Sequence, residues 1–395
     1  MTTRIYFTDA LTTEFDATVV SSVATGDRFT VVLDRTAFYP NSGGQPFDTG
    51  TLGGARVLGV DDDDAGVIHH VVDAPLEPGA RVQGRIDWPR RLDHMQQHTG
   101  QHVLSAAFDR LFHVRTTSFH LGAEASTIDL AREVTPSEIA QAQAEANRVV
   151  WDARPVTVRF VSESEASKLP LRKEPVKTGL LRIVEVTDFD VSACGGTHVP
   201  QAGMIGAILV AGWERFKGAT RLTFVCGGRA LGSYDALREV VAAATRALSV
   251  LPAEIDASIQ RLQAEAKTRN RELRTLQDEV ATGRAARLRE SAATIGPYRG
   301  VLLSQSGWDA AALKALATAV VSEPGFVVVM TGDSRPTPVV IARSADVALD
   351  AGAWMKKAAA ELGGRGGGRP EAAQGGLDAS PERILEFARA TLNEG

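Results

Sequence analysis

Cysteine is nearly absent. Cys194 and Cys226 are the only two in 395 residues, too few for a disulfide framework, and this points to a reducing compartment. Long apolar runs are missing as well, so no segment reads as spanning a bilayer and no membrane partner is expected. The start, MTTRIYFTDALTTEF, carries acidic residues where a secretory signal would be apolar, and the expected location is the cytoplasm. Net positive charge is also lacking. A formal charge of −5 gives no global attraction to a polyanion, so a nucleic-acid partner has to be met by local basic patches. Glycine, by contrast, is plentiful: 37 residues, many in clusters that suggest specialised loops. The length allows two or three domains, and the apolar fraction of 44% is ordinary for a globular chain.

Hydrophobic patterning divides the chain at about residues 88, 232 and 295, and its class is α+β. Residues 1–88 alternate β-branched stretches (18–23, 29–33, 56–60, 67–72) with Gly, Asp and Pro punctuation, which predicts a small barrel or curled sheet. The acidic run Asp61 to Asp64 reads as a solvated hairpin tip. From Asp93 the period becomes helical. A second helix is expected to start at Thr135-Pro136-Ser137-Glu138, with Thr135 and Glu138 forming a capping box, and to end near Asp152. A short helix is expected near Ser162 to Lys168. In 233–295 the positions Ile255, Ile259, Leu262, Ala266, Arg269, Leu273, Leu276 and Val280 step by four and three, a heptad seam with one polar interruption. It suits either a coiled-coil homodimer or a helix lying on its own domain. Residues 296–395 read as an α/β domain, in which Gly363 to Pro370 forms a flexible basic loop carrying Arg365 and Arg369.

The chemistry concentrates in two short strings. His98 and His102 lie four apart on an expected helix, so both imidazoles leave one face. Cys194-Gly195-Gly196-Thr197-His198 brings a thiol and an imidazole at the same spacing on a tight loop. Two His with Cys and His make a borderline-soft donor set suited to one zinc ion per chain. A set of four protein ligands would be structural, whereas an exchangeable position, with His198 yielding to water or substrate, would serve catalysis. His94, one turn earlier, is expected to be structural or to support the ligands from outside. A third string, Thr36 to Pro46, reads as a turn whose Gly43-Gly44 permits close approach to a ligand and whose Gln45 offers an amide.

These strings (DRTAFYPNSGGQP, HMQQHTGQHVLSAAF, SFHLGAEASTIDL, LRIVEVTDFDVSACGGTHV and GWERFKGATRL, in that order) resemble the editing half of alanyl-tRNA synthetase. They are most similar to the free-standing AlaX-type editing proteins. The tail, through GGRGGGRPEAAQGG, resembles that synthetase's C-terminal DHHA-type domain and implies the long AlaX form. The resemblance implies a zinc-dependent hydrolase that removes serine or glycine from tRNA for alanine, an N-terminal barrel (1–88), an editing domain (89–232), a helical linker (233–295) and a DHHA-type domain (296–395) for tRNA binding or dimerisation. It assigns the zinc to His98, His102, Cys194 and His198, and the amino-acid pocket to Thr36 and Gln45, with Thr36 reading the serine hydroxyl. It places tRNA contacts in the tail, where Arg365 and Arg369 supply phosphate contacts. Nothing in the chain looks like an aminoacylation core, so no ligase activity is expected. Two other readings stand beside it: a tRNA-binding protein with a structural zinc and no turnover, and a zinc hydrolase of small esters or phosphates.

Overall fold

The computed structural model describes residues 2–173 and 179–393 and divides into two compact units, Met1–Ala243 and Ala244–Gly395.

In the first unit, six strands close a barrel in the order Glu14–Thr25, Arg28–Leu33, Ile68–Val72, Ala55–Asp62, Gly50–Leu52 and Arg81–Ile86. Alternate residues point inward along each strand, as period-2 patterning requires, so Phe15, Val31, Leu33, Phe38, Leu52, Val60 and Ile68 form its core. The acidic run ends the strand Ala55–Asp62 in a hairpin in which Asp63 caps Val67 N at 2.9 Å.

Helix α1 (Trp88–Phe112) follows, with Pro89 in its first turn. It begins five residues earlier than the periodicity from Asp93 suggests, and it is not a half-exposed amphipathic helix. Most of its polar side chains are buried too, among them Arg91, Gln97, His98, Gln101 and His102. Burial of such groups is tolerable only with partners. Arg91 pairs with Asp48, both fully buried, and donates to Ala10 O at 2.8 Å, while Gln97 exchanges two bonds with the backbone of Cys226. Helix α2 (Pro136–Trp151) packs on α1, and its Thr135–Glu138 capping box is present as expected. A four-stranded antiparallel sheet (Ile208–Phe216, Ala219–Cys226, Ser126–Leu130, Thr116–Leu121) shares their apolar core. A three-stranded sheet (Val156–Val161, Leu181–Val186, Asp190–Ala193) completes this layer, with the short helix α3 (Glu163–Ala166) capped by Ser162. Helix α4 (Gly228–Leu248) exposes Leu231, Tyr234, Leu237 and Val240.

The second unit begins with helix α5 (Ile255–Glu290). The seam residues Ile259, Leu262, Leu273, Leu276 and Val280 are exposed along it, and its packed face is instead Ala281 and Ala285, set against helix α6 (Ala310–Val320). A six-stranded sheet follows in the order Ala293–Ile295, Tyr298–Ser304, Phe326–Thr331, Thr337–Arg343, Ala372–Leu377, Gly364–Gly368. Helices α7 (Ala351–Leu362) and α8 (Pro381–Asn393) share an apolar core with it. The expected loop at Gly363 to Pro370 is therefore a strand, Gly364–Gly368, paired antiparallel with Ala372–Leu377. Glycine there serves close approach, since a Cβ at Gly366 would lie 2.6 Å from Met355 Cγ and 3.0 Å from Gly375 Cα. Among the described residues no helix is long and apolar enough to cross a membrane.

Candidate metal centre

Helical spacing sets His98 and His102 on one face of α1, their ring centroids 5.3 Å apart. The strand Asp190–Ala193 then delivers Cys194 and His198 to the same place. Donor atoms of His98, His102, Cys194 and His198 all lie within 4.8 Å of one another. Cys194 Sγ is 3.3 Å from His98 Nε2 and 3.4 Å from His198 Nε2. Gly196 makes the close loop feasible, because a Cβ there would lie 2.1 Å from His98 Cε1.

What orients the three imidazoles is the ring of groups outside them. His98 Nδ1–H donates to Gln45 Oε1 at 2.8 Å, and His102 Nδ1–H donates to Asp190 Oδ2 at 2.9 Å. The Thr99 hydroxyl gives its proton to Met95 O, so at 3.2 Å it accepts from His198 Nδ1–H. Gln45 is oriented in turn, since its Oε1 accepts from Thr197 N and its Nε2 donates to Thr197 Oγ1. Each of the three histidines thus has a proton held on Nδ1 and turns Nε2 toward the shared centre, the orientation that metal-binding histidines adopt. The donor set fits zinc.

Electrostatics differ between the members of the cluster: burial would lower His102, but its bonds to Asp190 and Cys194 raise it to about 9, so binding a metal there releases a proton. Burial would raise the Cys194 thiol, but the neighbouring His98 and His198, with His102 beside them, bring it well below its usual range, toward thiolate. Burial, reinforced by His98, pushes His198 down to about 3, which keeps it a neutral ligand-type imidazole. Asp190 is held at about 2: burial opposes ionisation, and the bonds and charges of His102 and Arg172 outweigh it. Arg172 Nε donates to Asp190 Oδ1 at 2.6 Å.

A cavity of about 730 Å³ opens onto Cys194 and His102, with Gly43, Gly44, Phe119 and Gly195 on its walls. The strand Thr116–Leu121 supplies one wall through Thr116 to Phe119.

Not every expected site residue reaches this cavity. Thr36 is fully buried in the barrel. His70 Nδ1 donates to Val31 O, so the Thr36 hydroxyl donates to His70 Nε2 at 2.9 Å and accepts from Phe38 N. It is absent from the cavity lining and has no hydrogen left with which to read a substrate hydroxyl. Gln45, 1% exposed, is likewise not on the wall; it holds His98. His94 is buried outside the four-residue cluster, and burial pushes it down to about 4. Arg365 and Arg369 are exposed on the glycine strand and the turn after it, in the second unit. Asp190, Thr99, Arg172 and Arg182 escaped sequence reasoning. For Asp190 a signal existed: residues 190, 192 and 194 share one face of an extended strand, and 190 and 192 are Asp and Ser.

Comparisons with known proteins agree with this arrangement. The family described as threonyl and alanyl tRNA synthetase second additional domain matches residues 181–223, the stretch holding Asp190, Cys194 and His198. One described as tRNA synthetases class II (A) matches 6–90, which is the barrel, and the DHHA1 domain matches 298–394. The alanyl-tRNA editing protein AlaX-L of Pyrococcus horikoshii is 31% identical over 99% of this chain and 98% of its own length. The alanine–tRNA ligases of Pyrococcus abyssi and Halorubrum lacusprofundi are 34% and 33% identical over 95% and 98% of this chain. The chain spans only 42% and 44% of those ligases. A solved C-Ala domain from the Aquifex aeolicus synthetase matches 26% of this chain and 97% of its own length at 18% identity, with a TM-score of 0.24, too low to support an argument.

Proposed function

The chain belongs to the long-form AlaX family of alanyl-tRNA editing proteins, and from that premise we propose that it hydrolyses the ester joining serine or glycine to tRNA for alanine, with one zinc held by His98, His102, Cys194 and His198. The observation that carries this reading is the set of three histidines with Nδ1 tied off and Nε2 turned toward Cys194, at the wall of a cavity. When bound there, zinc would supply Lewis acidity for orienting the substrate amine or activating water. The protein's own residues do the rest. Gly43, Gly44 and Gly195 bring bare backbone to the cavity, where N–H groups can meet charge developing on the ester oxygen. With Thr36 committed to His70, discrimination by the serine hydroxyl falls to polar groups on the wall itself: Gln101, and Thr116 as an acceptor only, since its hydroxyl donates to Ser105 Oγ. An unpaired buried partner then disfavours alanine. No side chain at the cluster stands ready as a general base: the three histidines are committed, and Asp190 is tied to His102 and Arg172.

A structural zinc without turnover is the second reading, favoured by there being four protein donors. The cavity at Cys194 and His102 speaks for chemistry. The model described as tRNA synthetases class II (A) matches residues 6–90, a stretch that folds as the barrel. In the second unit, Arg365 and Arg369 would meet tRNA phosphates, and the exposed seam of α5 would serve a homodimer. Deacylation of serine, glycine and alanine esters on one tRNA tests the proposal. Loss of serine and glycine with alanine spared is expected; bound zinc with no turnover of any ester would establish the structural reading instead.

A further inference from the structure

Arg182 is 8% exposed, yet among the described residues no carboxylate pairs with it. Its Nε donates to Phe7 O at 3.0 Å. Its Nη1 donates to Cys194 O at 2.7 Å and Gly196 O at 2.9 Å, clamping the glycine loop between two ligand positions. The guanidinium carbon lies 5.4 Å from the Phe7 ring centroid. Among the described residues Nη2 has no hydrogen-bond partner, and the side chain lines the cavity together with Cys194 and Gly195. A buried cation satisfied only by carbonyls is costly, and a neutral donor would brace the loop equally well. The ionisable groups around it are Cys194, Tyr39 and Tyr6. Among the described residues the guanidinium's partners are therefore neutral carbonyls and a ring, with Nη2 left over.

Resting on the hydrolytic reading above, we propose that, of the cations on the cavity wall (Arg4, Arg172, Lys173 and Arg182), Arg182 is the one that meets the ester oxygen: Nη2 hydrogen-bonds the carbonyl oxygen and stabilises the anion it becomes. Water adds to the carbonyl carbon, and the C=O electron pair moves onto oxygen beside Nη2. The pair returns as the bond to the ribose oxygen breaks. One water proton ends on the ribose hydroxyl, and the water oxygen leaves in the free amino acid's carboxyl group. Donors fixed in advance around a developing oxyanion are worth most in a dry site.

The test uses the full-length protein and two adenosine probes. One carries at its 3′ oxygen the phosphonate analogue of serine, whose anionic oxygen mimics the tetrahedral state. The other carries serine through a 3′ amide, which is neutral and flat. For Arg182→Met, calorimetric affinity for the phosphonate should fall about tenfold to a hundredfold, with amide affinity within about twofold of wild type. Arg182→Gln retains a donor without the charge and should show the same selective loss even if the Met variant folds poorly. Equal losses for both probes, unchanged phosphonate affinity, or zinc lost from the Gln variant would each overturn the assignment and leave Arg182 a loop brace. Wild-type turnover of the seryl ester is scored separately. Arg182-dependent phosphonate binding without turnover would reject the hydrolytic reading and keep Arg182 as the anion site; turnover with Arg182-independent binding would do the reverse.

Discussion

The metal cluster and helix α5 handle unsatisfied chemistry in opposite ways. At the cluster, polar side chains are buried and their valences are used within the unit: Gln45, Thr99 and Asp190 exist there to point three imidazoles. Along α5, five large apolar side chains lie in the open and Arg365 and Arg369 in the same unit stand exposed. A buried and connected site fixes geometry at a cost in burial that only function explains. An open apolar seam and exposed arginines add little to the unit's own core. The cluster should therefore be intolerant of single substitutions, and the second unit tolerant.

The sharpest break of that contrast is at the ligands. Cys194→Ala should abolish deacylation and reduce zinc per chain to near zero, measured by metal analysis after dialysis. Asp190→Asn keeps the shape but weakens the acceptor for His102, and should lower metal affinity by about tenfold to a hundredfold, the usual effect of an outer partner. Wild-type zinc content in Cys194→Ala would refute the site, and unchanged affinity in Asp190→Asn would show that Arg172 alone holds the strand.

A smaller effect is expected inside the barrel. Thr36→Val leaves His70 Nε2 without its donor and Phe38 N without its acceptor, so unfolding free energy should fall by about 1–3 kcal/mol. The ratio of serine to glycine turnover should stay the same, because Thr36 is off the cavity wall. Selective loss of serine removal would restore to Thr36 the hydroxyl-reading role that its position in the sequence suggested.

These outcomes follow the line between what was legible in the sequence and what was not. Local rules carried far: the Thr135–Glu138 capping box, the short helix after Ser162, the hairpin at Asp63 and four of the six barrel strands depend on neighbours a few residues apart. The four residues that the structure gathers into one cluster were legible because His and Cys are scarce and their spacing is short. The ring around them was hidden, since Asp190 meets His102 across 88 positions and Gln45 meets Thr197 across 152. Gly363 to Gly368 misled for the opposite reason. A run without side chains reads as a flexible loop, and only its partner strand and Met355 make it a close-packed ribbon.

The smallest expected effect tests the tolerant side. Arg365 projects from the outermost strand of the second unit's sheet and Arg369 from the turn that follows it, and neither forms an ion pair among the described residues. If they meet tRNA phosphates, their contribution is uniform binding made in ground and transition states alike. The double substitution Arg365→Ala with Arg369→Ala should therefore raise KM several-fold at about 0.1 M salt while kcat stays intact. Removing one arginine–phosphate pairing should flatten the dependence of log kcat/KM on log salt by roughly 0.7 to 0.9, and removing both by roughly 1.4 to 1.8. Zinc content should not change, because every ligand lies in the first unit. The measurement is a salt series of deacylation rates on both proteins. Unchanged KM and slope would remove the glycine ribbon from tRNA binding and turn attention to the α5 seam, where sedimentation of the intact chain reads whether a second copy covers Ile259 to Val280.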